Sequence, residues 1–147
     1  MGGHPSRVAS VACEGSLLSA FLDTNVIIRH LTGEPPAMAK RATELLASEP
    51  DLILADLVVA ECVYVLESFY EVERAHVAAL LRAAIALPAI RVDDSALLLR
   101  ALERYEHARL DFADAYLVAS AELTGVGAVV SFDKAIDRIS SVERIAL

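Results

Sequence analysis

Four acidic side chains stand in or beside apolar runs, and only Asp133, followed by Lys134, has a cation directly next to it. Asp23 follows Ala20-Phe21-Leu22 and precedes Val26-Ile27-Ile28. Glu61 is the only charge in the run from Leu57 to Leu66, Asp114 sits within Phe112 to Ala119, and Asp133 follows Ala128 to Phe132. An ionised carboxylate away from water is costly unless it is paired, protonated or bound to a metal. On a helix the positions three and four away from Glu61 are Leu57, Val58, Tyr64 and Val65, none of them cationic. Because that segment is apolar on nearly every face, Glu61 is expected to be at least partly buried. Carboxylates gathered at one place repel each other unless a divalent cation joins them, and an all-oxygen donor set suits Mg²⁺ or Mn²⁺.

Each acid also has a structural reading. Asp23 can cap the helix that begins near Asn25, and Asp111 with Asp114 forms an Asp-x-x-Asp close to a capping box. Asp133 can cap the turn Lys134-Ala135-Ile136, and Glu61 can find a distant arginine. Asp93-Asp94-Ser95 reads as an ordinary helix cap, and Arg82, Arg100 and Arg104 as charges on solvated helix faces. Cys62 reads as a small core residue; it and Cys13 have no metal-ligand spacing, and the four histidines are scattered.

The elements that must position these acids alternate. Leu17 to Leu22 predicts a strand, with a helix from about Asn25 to Leu31 that Gly33-Glu34-Pro35-Pro36 interrupts. The proline pair pre-sets the helix Ala37 to Ser48. Leu52 to Leu54 predicts a second strand, followed by helices over Asp56 to Tyr70 and Val72 to Leu87. Ala89 to Val92 is a third strand, then come helices from Ala96 to about His107 and from about Asp111 to Leu123. Ala128 to Ser131 is a fourth strand and Glu143 to Ala146 a fifth. Strands alternating with helices predict an α/β fold with a mainly parallel sheet. Ligands in such sheets bind beyond the carboxyl ends of the strands, where Asp23 and Asp133 fall.

The 147-residue length suits one domain, and a 56% hydrophobic fraction excludes disorder. Residues 1–16 read as a flexible N-terminal extension and 17–147 as the domain. No stretch of about 18 apolar residues runs without a charge, so no membrane span is expected, and a cytoplasmic protein is the default. The net charge of −8 argues against a nucleic-acid binder of the ordinary basic kind. Contact with RNA would need something other than net charge.

Leu22-Asp23-Thr24-Asn25-Val26-Ile27, Ala60-Glu61-Cys62-Val63-Tyr64-Val65-Leu66, Asp111-Phe112-Ala113-Asp114-Ala115 and Ser131-Phe132-Asp133-Lys134 resemble, in order, the four motifs of the PIN domain. More narrowly they resemble the VapC toxins of bacterial toxin–antitoxin pairs, over about residues 19–147. The resemblance implies a three-layer PIN-like fold, its central, mainly parallel, twisted sheet of four to five short strands flanked by helices. It implies a metal-dependent endoribonuclease in which Asp23, Glu61, Asp114 and Asp133 hold one or two Mg²⁺ or Mn²⁺ ions. Asp111 would then act as an outer ligand or cap, while Thr24, Asn25 and Ser131 orient the pocket. Arg29, Arg109 and Lys134 lie near the motifs and would contact the RNA backbone. The implied partners are an RNA substrate, a second copy of the chain, and a cognate antitoxin that places a side chain, often arginine, in the acidic pocket. Ala37 to Leu46 and Leu57 to Tyr70 are the candidate surfaces for the antitoxin.

Two other readings remain at this point. One is a PIN-like binding module without catalysis. The other is a haloacid-dehalogenase-type phosphohydrolase, although Asn25 stands where that family has its second acid.

Overall fold

A computed structural model describes residues 19–48 and 51–147. The expected extension over residues 1–16, Cys13 and the start of the first predicted strand lie outside them. The first described strand, β1 (Ala20–Phe21), leads into α1 (Thr24–Thr32). Gly33 ends that helix in the left-handed region at φ 73°, which glycine adopts without steric cost. Pro36 then occupies the first turn of α2 (Pro36–Ala47), where its missing N–H is no loss. β2 (Leu52–Ile53) precedes α3 (Asp56–Ser68), and α4 (Arg74–Ile85) follows after Glu71, itself left-handed at φ 53°.

β3 (Ile90–Arg91) leads to α5 (Ser95–His107), which Asp94 caps by accepting from the Leu97 N–H at 3.0 Å. α6 (Phe112–Thr124) ends at Gly125, φ 78°. β4 (Ala128–Val130), a 3₁₀ helix (Lys134–Arg138) and β5 (Glu143–Ile145) complete the order.

The strands are all parallel and fall into two hydrogen-bonded groups. β1, β2 and β3 pair in that order, with Phe21 level with Ile53 and Ile53 level with Arg91. β4 pairs with β5, and among the described residues no ladder joins the two groups. Alternation along the strands separates two faces. Leu52 and Ile90 are buried on one, whereas Phe21, 73% exposed, and Arg91 stay open on the other.

The core is apolar and continuous, built from Ile27, Ile28, Leu54, Leu66, Leu81, Leu98, Leu102, Val118 and their neighbours. α5 and α6 lie side by side, clamped by charge. Arg104 grips Glu122 through Nε at 3.0 Å and Nη2 at 2.5 Å, Arg100 approaches the same carboxylate at 3.4 Å, and Ser141 donates to it at 2.7 Å. Arg82 pairs with Glu106 at 2.6 Å, linking α4 to α5. These three arginines therefore sit half-buried in ion pairs and not on solvated faces as their sequence positions suggested. Their partners lie 18 to 24 residues away, beyond the reach of a helical-spacing argument.

Glu61 also differs from expectation: it is exposed. Leu57 and Tyr64 share its face of α3 at helical spacing and are themselves 78% and 68% exposed. An all-apolar helix implied burial all round, but α3 buries only the stripe of Val59, Cys62, Val63 and Leu66.

Candidate active site

The segment that delivers Asp111 and Asp114 is pinned from two sides. Arg74 on α4 donates through Nη1 to the carbonyls of Tyr105 at 2.7 Å and Leu110 at 2.6 Å, with its guanidinium 4.3 Å from the centre of the buried Tyr105 ring. The Tyr105 hydroxyl donates to Glu67 on α3. From the other side Arg138 reaches the carbonyls of Ala108 and Arg109 at 3.2 and 3.3 Å. Arg109 itself is held left-handed at φ 58°, an uncommon conformation for a residue with a side chain. The turn so fixed puts Asp111 at the N-cap of α6 and Asp114 in its first turn. Neither acid makes the cap hydrogen bond that the Asp-x-x-Asp spacing suggested for Asp111.

Asp114 meets Asp133, which arrives from beyond β4. Asp133 caps the 3₁₀ helix by accepting from the Ala135 N–H at 2.9 Å, and its own N–H donates to Ser131 Oγ at 3.0 Å. Burial and then the Asp133 carboxylate push the Asp114 carboxyl above its ordinary range, with Asp111 adding to the effect. The Ala135 N–H, and then Asp114, hold Asp133 below its ordinary range. Asp114 and Asp133 are thus close enough for each to act on the ionisation of the other. Two carboxylates brought together in this way repel each other, and a divalent cation between them relieves that repulsion.

Asp23 and Glu61 both lie close enough to Cys62 for their charges to act on its thiol. Burial first, then Glu61 and Asp23, push the Cys62 thiol up to about 12. That thiol is a core side chain and no nucleophile. Asp23 caps α1 through its backbone only, with the Val26 N–H on its carbonyl at 3.1 Å, so its carboxylate stays free of the cap.

The supporting residues divide. Ser131 braces Asp133, as above. Thr24 is buried, whereas Asn25 lines a cavity of about 240 Å³ between α1 and α2 together with Arg29, Met38 and Arg41. Arg29 is half-buried and reaches the Tyr70 hydroxyl at 3.5 Å. The Arg109 and Lys134 side chains are exposed. Sequence reasoning passed over Arg138 and Arg144, the cations nearest Asp133. Arg144 on β5 donates to the Ser131 carbonyl at 3.0 Å and forms a two-point pair with Asp137 at 2.9 and 3.1 Å. Its eleven-residue separation from Asp133 gave no signal without the β4–β5 ladder.

The donors are all carboxylates, which fits a hard divalent cation. The Asp114–Asp133 contact fits it too, because Mg²⁺ keeps several waters and needs only one or two carboxylates from a protein. Among the described residues no three His, Cys, Asp or Glu side chains are grouped to hold an ion together.

No curated protein matches the chain in sequence. A crystal structure of VapBC2 from Rickettsia felis bound to a DNA fragment from their promoter is similar at 17% identity and a TM-score of 0.37, over 88% of this chain and 99% of that one. A likeness that slight carries no argument about what this chain binds. The PIN domain model matches residues 20–142, from the first described strand to the residue before β5. That span holds all four acids in their motif order on an α/β frame of parallel strands and flanking helices, and the chain belongs to the PIN domain family.

Proposed function

We propose that this chain is a metal-dependent endoribonuclease of the VapC toxin type, hydrolysing RNA phosphodiester bonds. The observation that carries the reading is the PIN domain match over residues 20–142, within which Asp114 and Asp133 are brought together. Asp114 and Asp133 would hold one Mg²⁺ or Mn²⁺, with Asp23 and Glu61 as the second carboxylate pair of the site and Asp111 as an outer support. A divalent cation there supplies a water of lowered pKa and offsets charge on the phosphate. Water attacks phosphorus in line, the bond to the 3′ oxygen breaks, and that oxygen takes the proton, leaving a 5′-phosphate and a 3′-hydroxyl. Ser131 Oγ accepts the Asp133 backbone N–H and the Ala135 N–H donates to the Asp133 carboxylate, so both the backbone and the side chain of Asp133 are held; Arg138 and Arg144 lie nearby. Arg109 and Lys134, both exposed, are the cations available to the RNA backbone.

The toxin reading brings the partners with it: a cognate antitoxin and a second copy of the chain. Leu57, Tyr64 and Phe69 along α3, with Met38 on α2, are exposed apolar side chains suited to such contacts. A binding module without catalysis is favoured by one observation, the absence of a three-ligand group among the described residues. One assay separates the two readings. Purified antitoxin-free chain is incubated with total RNA and Mg²⁺ or Mn²⁺, against EDTA and against Asp114→Asn. Cutting that needs metal and fails in the variant supports the nuclease; binding of RNA with no cutting in any metal supports the module.

A further inference from the structure

The open face of the three-stranded sheet carries a cleft of about 450 Å³ that none of Asp23, Glu61, Asp114 and Asp133 lines. Phe21, Ile53 and Arg91 stand level across it in register, one from each strand. β1 and β3 flank β2, so Phe21 and Arg91 rise about 9.6 Å apart at the usual strand spacing, with Ile53 as the floor between them. Among the described residues Phe21 is left largely exposed. Arg91 is held flat by a two-point pair with Asp51, Nε to Oδ1 at 3.0 Å and Nη2 to Oδ2 at 2.8 Å, and Ser19 donates to the same carboxylate at 2.6 Å. The cleft is therefore lined by a fixed cationic side chain on one strand and an exposed aromatic ring on another, a span that admits one flat group.

Asp93 closes the carboxyl end of the cleft. Its neighbour Asp94 caps α5, while Asp93 makes no hydrogen bond or ion pair among the described residues. An ionised carboxylate is acceptor-only and reads donors. Phe21 and Asp23 flank the buried Leu22 on one extended stretch, so both side chains leave the same side of the chain. A group seated on Phe21 thus lies beside the first acid of the site.

We propose that this cleft is a nucleobase slot for single-stranded RNA: a base stacks between Phe21 and Arg91 and presents its donor edge to Asp93. Unstacked bases sit on aromatic rings and on arginine planes, and they are read along their exposed edges. Guanine, whose N1–H and N2–H point the same way, is the base that gives one carboxylate two parallel donors. The slot rests on the ribonuclease reading and adds to it the substrate's strandedness and the base held beside the cut. It also supplies contact that the acidic net charge of −8 does not.

The test is anisotropy of labelled hexaribonucleotides on the full chain in EDTA. The probes are all-uridine and uridine with one central guanine, adenine or cytosine, beside an RNA duplex. The guanine oligomer is expected to bind about tenfold tighter than all-uridine, and the duplex more weakly than either. Phe21→Ala should weaken every single strand about tenfold, and Asp93→Asn should bring the guanine oligomer down to the all-uridine one. Guanine preference that survives Asp93→Asn, or single-strand binding indifferent to Phe21→Ala, overturns the slot. If those results come with metal-dependent RNA cutting by the same preparation, the slot fails and the nuclease stands. If no RNA is bound or cut, both fail. Should the cleft instead take an arginine of a protein partner, no base preference appears and the slot is refuted.

Discussion

Glu122→Gln is expected to lower stability by about 2 kcal/mol at neutral pH, because its carboxylate is the most enclosed charge in the clamp between α5 and α6. Its side chain is only 7% exposed and receives Arg104 at 2.5 and 3.0 Å, Arg100 at 3.4 Å and Ser141 at 2.7 Å. Breaking a fully buried ion pair costs roughly 3–5 kcal/mol. Here the arginines keep 26% and 36% of their side-chain exposure, so water compensates part of the loss. Glutamine also retains one acceptor oxygen. The figure of about 2 kcal/mol corresponds to a fall in Tm of roughly 4–8 °C for a domain of this size.

The pH dependence carries a sign. Arg104, first among the causes, holds the Glu122 carboxyl below the ordinary glutamate value. Its contribution is therefore present above the unfolded value of 4.5 and is lost as pH falls through the lower folded value. Thermal melts of wild type and Glu122→Gln from pH 7 to pH 3 should show a gap that is constant down to about pH 5 and then narrows. A gap that is absent at pH 7, or that widens in acid, would refute the clamp.

Three further outcomes follow from the same geometry. In EDTA at pH 7.5, Asp114→Asn should melt above wild type, because the Asp114 carboxyl is raised by burial and by Asp133 and ionising it costs the folded state; Mn²⁺ should stabilise wild type and leave the variant unmoved, and calorimetry with and without metal reads both. Cys62, buried and pushed up to about 12, should resist a thiol reagent at pH 8 in the native chain and react once guanidinium unfolds it, so fast native labelling would contradict its placement. Arg74→Met leaves the Tyr105 and Leu110 carbonyls without their donor and should cost about 2–4 kcal/mol, read by urea unfolding, with RNA cutting reduced beyond the stability loss because the turn before Asp111 loosens.

Local chemistry alone was enough for the element order. Apolar periodicity, the Pro35-Pro36 pair, Gly33, Gly125 and the Asp94 cap are short-range signals, and each element lies where they place it, give or take one or two residues at most ends. The four acids, too, stood out as charges in apolar stretches, and the span that the PIN family model matches contains all of them. What only tertiary structure decided is which groups meet. Arg104 and Glu122, Arg74 and the Leu110 carbonyl, and Asp114 and Asp133 are 18, 36 and 19 positions apart. Their meeting depends on helix packing and strand pairing that no helical or strand spacing encodes. The exposure of Glu61 was likewise beyond sequence reach: hydropathy ranks a helix face as apolar, but whether another element covers that face is settled by the fold around it.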